Sequence, residues 1–158
     1  HPSVADCCLS TIPQVPNGLI ELLFDTVRAI TGLLYSGTLS RCADIKFVFC
    51  HGGGCGLPMM APRIGNAVRN PKLAALLPHG VEHELKKLYL DVVNVTHARA
   101  FNAVREQVGI ERMLLGSDYP FASVGPTVKG LEALKLPETE LRAIENANAL
   151  RLMPSLAR

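Results

Sequence analysis

Short apolar runs alternate along the chain with longer segments in which apolar residues recur every three or four positions. The runs at 45–50, 88–93 and 112–115 are rich in β-branched and aliphatic residues, which predicts three strands. We expect the first strand to be buried on both faces, because its apolar residues do not alternate regularly with polar ones. Helical periodicity predicts helices at about 17–36, 57–77, 96–108, 126–135 and 137–152.

The ends of these helices are also predictable. Asn17 is a favourable N-cap for the first helix, and Gly37 is placed to end it. Pro62 and Pro71 are expected to interrupt the second helical stretch, and Thr96 to cap the third. The buried stripe of the first helix is expected to comprise Leu19, Leu22, Leu23, Val27, Ile30 and Leu34.

The order of the elements defines a fold class. Strands that alternate with helices form βαβ units, so we predict an α/β fold with a parallel sheet. Three strands cannot close an eight-stranded barrel, which takes about 250 residues. The chain begins at His1 without a visible signal peptide, so we expect position 1 to be a cut made by processing, by truncation or by an incomplete gene model.

Composition narrows the function classes. The chain has 158 residues, 48% of them hydrophobic and 19% charged, which is typical of a globular domain. Sixteen basic against fourteen acidic residues leave a charge of +2, so we expect no nucleic-acid partner, and we expect no membrane partner because no apolar run approaches about 20 residues. Five cysteines without a CxxC spacing argue against a disulfide framework and predict a reducing, cytoplasmic location.

Polar residues follow two of the predicted strands at the end where α/β enzymes collect their chemistry. His51 follows the first strand and Asp118 the third, while His1 stands where a preceding strand would deliver it. Histidine and carboxylate side chains are common ligands of a divalent metal such as zinc. Asp91 is expected to support a metal ligand without binding the metal itself. Two structural alternatives remain open. One is that His51 is a turn residue, and the other is that Asp118 is a turn or capping aspartate.

Three segments resemble a known family. Residues 49–54 (FCHGGG), with Arg63 behind them, and residues 115–121 (LGSDYPF) are similar to the strand-six and strand-eight segments of the amidohydrolase-related, metal-dependent decarboxylases. Residues 148–154 (NALRLMP) resemble the C-terminal helix of that family. This branch includes aminocarboxymuconate-semialdehyde, γ-resorcylate and 6-methylsalicylate decarboxylases. Residues 24–28 (FDTVR) are most like its salicylate-type members.

The resemblance implies a fold. The chain would be the C-terminal half of a (β/α)8 TIM-type barrel, from strand five or six to strand eight with their helices. Residues 1–158 would then form one partial domain without strands one to four. In the family the first strand carries two further metal ligands as H-x-H or E-x-H.

The resemblance also implies roles for individual residues. His1 and Asp118 would be metal ligands, and the cofactor would be a divalent metal, with zinc expected. Asp118 would also be catalytic, with His51 beside the metal assisting proton transfer. Arg63 would reach the carboxylate of a small aromatic acid substrate, and the full-length protein would be a homo-oligomer.

Three hypotheses about function follow. The first is non-oxidative decarboxylation of an ortho-hydroxy aromatic acid such as 6-methylsalicylate, in which protonated Asp118 delivers a proton to the carboxylate-bearing ring carbon. The second is a hydrolase of a lactone or amide, in which the metal activates water. The third is an inactive truncated fragment.

Overall fold

The computed structural model describes residues 2–8 and 12–156, apart from the side chain of Cys7. Ten α-helical segments and three strands follow one another over this part of the chain. In order they are α1 Glu21–Tyr35, α2 Thr38–Arg41, β1 Val48–Phe49, α3 His51–Gly54, α4 Leu57–Gly65, α5 Pro71–Ala74, α6 Val81–Leu85, β2 Tyr89–Asp91, α7 Ala98–Val108, β3 Met113–Leu114, α8 Gly125–Ala133, α9 Glu138–Arg142 and α10 Asn148–Leu152. A π-helical turn, Ala143–Ala147, joins α9 to α10.

The three strands form one parallel sheet in the order β1-β2-β3. This confirms the predicted α/β arrangement, although each strand is shorter than predicted. The prediction that the first strand is buried on both faces is wrong, because Val48 is 48% exposed. In the described part of the chain β1 pairs with β2 alone, so β1 lies at an edge of the sheet and one side of it faces solvent.

The first helix begins later than predicted. Asn17 opens a separate 3-10 turn, Asn17–Leu19, and α1 starts at Glu21. Leu19 therefore lies out of phase with the buried stripe and is 64% exposed, contrary to the prediction. Val27, Ile30 and Leu34 of the predicted stripe are buried in the core, whereas Leu22 and Leu23 are only half-buried.

The proline and threonine predictions have mixed outcomes. Pro71 begins α5, as expected of a proline that interrupts a helical stretch, whereas Pro62 lies inside α4. There the loss of one backbone hydrogen bond is offset by the burial of the α4 face that carries Leu57 and Ile64. Thr96 is not the cap of α7, because the helix begins at Ala98. No helix in the described ranges is both long and apolar enough to cross a bilayer.

The C-terminal helices are fastened to the third strand by buried polar contacts. The Asn148 side-chain amide donates to the carbonyl oxygens of Ile110 and Met113, each at 2.8 Å. The Leu115 N–H donates to the carbonyl oxygen of Ile144 at 2.9 Å. The Asn148 bonds hold the start of β3, and the Leu115 bond holds its end, where the loop that carries Asp118 begins.

Candidate active site

A cleft of about 470 Å³ opens at the carboxyl ends of the strands. Its polar side chains come from three successive strand-to-helix loops: His51 after β1, Asn94 after β2 and Asp118 after β3. The carboxyl ends of parallel strands face the same side of a sheet, which is why residues 67 positions apart in the sequence meet here. The remaining walls are formed by Pro2, Gly18, Leu19, Leu22, Leu23 and Phe121.

A left-handed turn delivers His51 into this cleft. His51, all three glycines after it and Cys55 have positive φ values, from 53° to 78°. At Gly52, where φ is 58°, a Cβ atom would lie 2.7 Å from Val95 Cγ1. Glycine is needed there both for the backbone conformation and for the space. The His51 side chain is only 5% exposed.

Asp91 holds this turn in place. Its Oδ1 accepts hydrogen bonds from the backbone N–H of His51 at 2.7 Å and from that of Val93 at 3.0 Å. Burial raises the pKa of Asp91, and these backbone hydrogen bonds lower it, with burial the larger effect. Asp91 therefore holds the backbone of His51 in position, and its role in supporting a metal ligand stays a prediction.

His51 and Asp118 contact each other across the cleft. The imidazole Nε2 lies 3.3 Å from Asp118 Oδ1, within the range of a long hydrogen bond. The His51 side chain is buried, whereas the Asp118 side chain is 20% exposed and reaches the open part of the cleft. A buried imidazole behind a partly exposed carboxylate can hold or pass on a proton.

The polar residues of the cleft share an uncommon backbone conformation. The φ values of His51, Asn94 and Asp118 are 56°, 60° and 61°. Positive φ is rare for residues other than glycine and is concentrated at functional sites. Each loop therefore turns sharply as it leaves its strand and presents a side chain to the cleft.

Sequence reasoning missed two features of the cleft. Asn94 could have been found, because it lies at the carboxyl end of the second predicted strand and asparagine tolerates positive φ. Leu19, Leu22 and Leu23 were expected to be buried in the core, but they line the cleft instead. Together with Phe121 they give the site an apolar wall, as is typical of sites that bind aromatic or aliphatic ligands.

The donor atoms in the cleft fit a divalent metal in kind. A carboxylate and an imidazole are common ligands of zinc and manganese, and a catalytic zinc takes three protein ligands. Among the described residues, however, no group of three or more histidine, cysteine or acidic side chains converges. His1, the other predicted ligand, lies outside the described residues.

The remaining predicted residue lies elsewhere. Arg63 is exposed on α4 and lines a separate groove with Phe24, Arg28 and Tyr35, so the structure does not bring it together with His51 and Asp118. Its role toward a substrate carboxylate stays a prediction.

Comparison with known proteins places the chain in a family. Residues 23–154 match the family described as Amidohydrolase, and the chain belongs to it. It is 28% identical over 149 residues to decarboxylase yanB of Aspergillus niger, a match that covers 90% of this chain and 40% of the relative. It is 27% identical over 146 residues to 6-methylsalicylic acid decarboxylase of Penicillium expansum, which covers 90% of this chain and 45% of the relative. The chain thus spans less than half the length of these curated relatives.

Solved structures share the fold. The chain is similar to 5-carboxyvanillate decarboxylase LigW of Sphingomonas paucimobilis, with a TM-score of 0.79, 17% identity, and coverage of 98% of this chain and 48% of that one. It is also similar to a dihydroxybenzoic acid decarboxylase of Polaromonas with bound manganese, with a TM-score of 0.78, 20% identity, and coverage of 100% and 49%. In each case the match covers about half of the solved chain.

Proposed function

We propose that the chain forms part of a metal-dependent enzyme that decarboxylates an ortho-hydroxy aromatic acid without oxidation. The observation that carries this proposal is the 3.3 Å contact between His51 Nε2 and Asp118 Oδ1 at the mouth of an apolar cleft. Support comes from curated relatives named as decarboxylases and from the manganese bound in a related decarboxylase structure.

The proposed reaction uses Asp118 and His51. Asp118 would hold the metal together with further donors, His1 among them, and the expected metal is zinc. A divalent cation supplies Lewis-acid stabilisation of the negative charge on the substrate oxygens. Protonated Asp118 donates its proton to the ring carbon that bears the carboxylate. The bond from that carbon to the carboxylate then breaks, its electron pair returns to the ring, and CO₂ leaves.

The surroundings of this pair suit an aromatic substrate. The imidazole of His51 hydrogen-bonds the carboxylate of Asp118 and stabilises the charge that proton donation leaves on it. Leu22, Leu23 and Phe121 would give an aromatic ring an apolar surface to pack against. We propose a 6-methylsalicylate-like acid as the substrate.

We further propose that this chain corresponds to the C-terminal half of a (β/α)8 barrel within a longer polypeptide that forms homo-oligomers. Two observations support the barrel. The sheet is parallel with helices between its strands, and β1 has an unpaired edge in the described part of the chain. A preceding barrel strand would pair with that edge.

The test is CO₂ release by the longer enzyme after a chelator has removed its metal and after zinc or manganese has been added back. The substrates are 2-hydroxybenzoate, its 6-methyl derivative and 3-hydroxybenzoate, the last as the control that lacks an ortho hydroxyl. We expect turnover of the ortho-hydroxy acids only, with loss in chelator and recovery with metal. Equal rates on the 2- and 3-hydroxy isomers, or full activity in chelator, would contradict the proposal.

A further inference from the structure

A second cavity lies at the opposite end of the sheet from the cleft that holds His51 and Asp118. Its volume is about 120 Å³, and it lies where the chain enters the strands. Phe47 precedes β1, Leu88 precedes β2 and Arg112 precedes β3, and all three line it. Because barrel enzymes carry their chemistry at the other end of the strands, this cavity is separate from the proposed reaction.

A buried glutamate lies in the wall of this cavity. Glu84 lies in α6 and its side chain is 1% exposed. Its Oε2 forms an ion pair with Nζ of Lys87, whereas its buried Oε1 accepts no hydrogen bond from any described residue. A buried acceptor without a donor is costly, so Glu84 requires a donor from whatever occupies the cavity.

Positive charge dominates the other polar walls. The Lys87 ammonium is offset by Glu84 and also donates to the Leu39 carbonyl at 3.3 Å. Lys46 and Arg112 add two further positive charges, and Glu84 is the one carboxylate among the described residues that line the cavity. The occupant should therefore be an anion that also carries a hydrogen-bond donor.

Arg112 is held ready for such an occupant. Its Nη1 donates to the carbonyl oxygen of Lys87 at 3.0 Å, and its guanidinium lies 5.0 Å from the centre of the Tyr89 ring. A guanidinium fixed by a hydrogen bond and an aromatic ring loses little freedom when it binds an oxyanion with its remaining N–H groups.

We propose that this cavity binds a small oxyanion that keeps one hydroxyl group, of the size of hydrogen phosphate. The oxygens of the anion accept hydrogen bonds from Lys46 and Arg112, and its hydroxyl donates to Oε1 of Glu84. A cavity of about 120 Å³ has room for an anion of four or five heavy atoms.

Glu84 makes the site selective. Sulfate has the size and shape of hydrogen phosphate but carries no proton at neutral pH, so it cannot donate to the carboxylate and is repelled by it. An unpaired buried acceptor should therefore disfavour sulfate by at least ~10-fold relative to phosphate. The comparison of these two ions isolates the contribution of Glu84.

The experiment is isothermal titration calorimetry of the protein with sodium phosphate and with sodium sulfate at pH 7 and constant ionic strength. We expect phosphate to bind at least ~10-fold more tightly than sulfate. In Glu84→Gln the side-chain amide can donate, so sulfate should bind more tightly and the preference should fall to less than ~3-fold.

Two lysine variants complete the design. Lys46→Gln should weaken phosphate binding by ~10-fold or more, since it removes one charge-assisted bond. Lys129→Gln, which removes the same charge from an exposed position on α8, should leave binding unchanged. Equal affinity for the two anions, equal losses in both lysine variants, or no binding of phosphate would overturn the proposal and leave the cavity to water alone.

Discussion

At the scale of single residues, the site depends on backbone conformations that few residue types adopt. The left-handed turn that begins at His51 places a buried imidazole behind Asp118, and Asp91 bonds to the N–H of His51. Substitutions in this turn therefore act on stability and on the site together. Gly52 is the clearest case, because its φ is 58° and a Cβ atom there would overlap Val95.

Gly52→Ala should lower the free energy of unfolding by about 2–4 kcal/mol, through left-handed strain and overpacking against Val95. Gly32→Ala is the matched control, since no atom lies within 4 Å of the added Cβ and the position is in the interior of α1. The control should stabilise the protein by about 0.5–1 kcal/mol. Urea unfolding measures both effects, and similar values for the two variants would contradict this account of the turn.

Cys55 closes the turn and should be unusually unreactive. Burial, assisted by the negative charge of Asp91, raises the pKa of its thiol to about 11. At pH 8 the thiolate fraction should therefore be about 100-fold lower than for a thiol with the ordinary pKa of 9.0. Alkylation of Cys55, followed by peptide mass spectrometry, should keep accelerating up to about pH 11 in the folded protein.

The raised pKa of Cys55 also makes the free energy of unfolding depend on pH. The unfolded chain releases this proton near pH 9 and the folded chain near pH 11, so the free energy of unfolding should fall as the pH rises through that interval. Alkylation that levels off near pH 9 in the folded protein, as it should in urea, would show that the thiol is not buried in this way.

At the scale of elements, the C-terminal helices stabilise β3, the strand before the loop that carries Asp118. Asn148 is 1% exposed and bonds to two carbonyl oxygens next to β3. Arg151 in turn donates to Oδ1 of Asn148 at 2.7 Å. The helix α10 therefore acts as a clamp on the start of β3.

Asn148→Ala should cost about 2–4 kcal/mol, because it removes the buried side-chain donor to the Ile110 and Met113 carbonyl oxygens and one of the two acceptors of Arg151. Asn146→Ala is the control at an exposed position of the neighbouring π-helical turn, and it should change stability by less than about 0.5 kcal/mol. Thermal unfolding of the two variants provides the comparison. Equal melting temperatures would show that the clamp is not needed.

Sequence periodicity was sufficient for the order of the elements and the parallel sheet, since strands and helices differ in the spacing of their apolar residues. Periodicity could not predict that Val48 is exposed to solvent, because its exposure depends on which strand lies beside β1. It also placed Leu19 in the core, because a 3-10 turn before α1 changes the phase of the helix. The contact between His51 and Asp118 was foreseeable from their positions after parallel strands, whereas the place of Arg63 depends on the packing of α4.

At the scale of the whole molecule, the sheet has an open edge. Val48 on β1 is 48% exposed and Ile45 just before it is 52% exposed. An exposed apolar edge strand is a template for pairing with another strand. In the proposed barrel this edge would be covered by the preceding strand.

The 158-residue chain on its own should therefore associate in a concentration-dependent manner, and Val48→Lys should reduce that association, because an edge lysine opposes strand pairing. Val68→Lys makes the same substitution at an exposed position of the 3-10 turn Asn66–Arg69 and should leave association unchanged. Sedimentation velocity at several concentrations distinguishes the two. Equal reduction in both variants would assign the effect to net charge and not to the edge.

The most direct test of the proposed chemistry is the rate of CO₂ release from an ortho-hydroxy aromatic acid by the full-length, metal-loaded enzyme carrying Asp118→Asn. The substitution keeps the shape of the side chain but removes the proton that it donates, so the rate should fall by at least ~100-fold. Asp44→Asn, at an exposed position before β1, is the control and should retain the wild-type rate. An Asp118→Asn rate within a few-fold of wild type would contradict the role of Asp118 as proton donor.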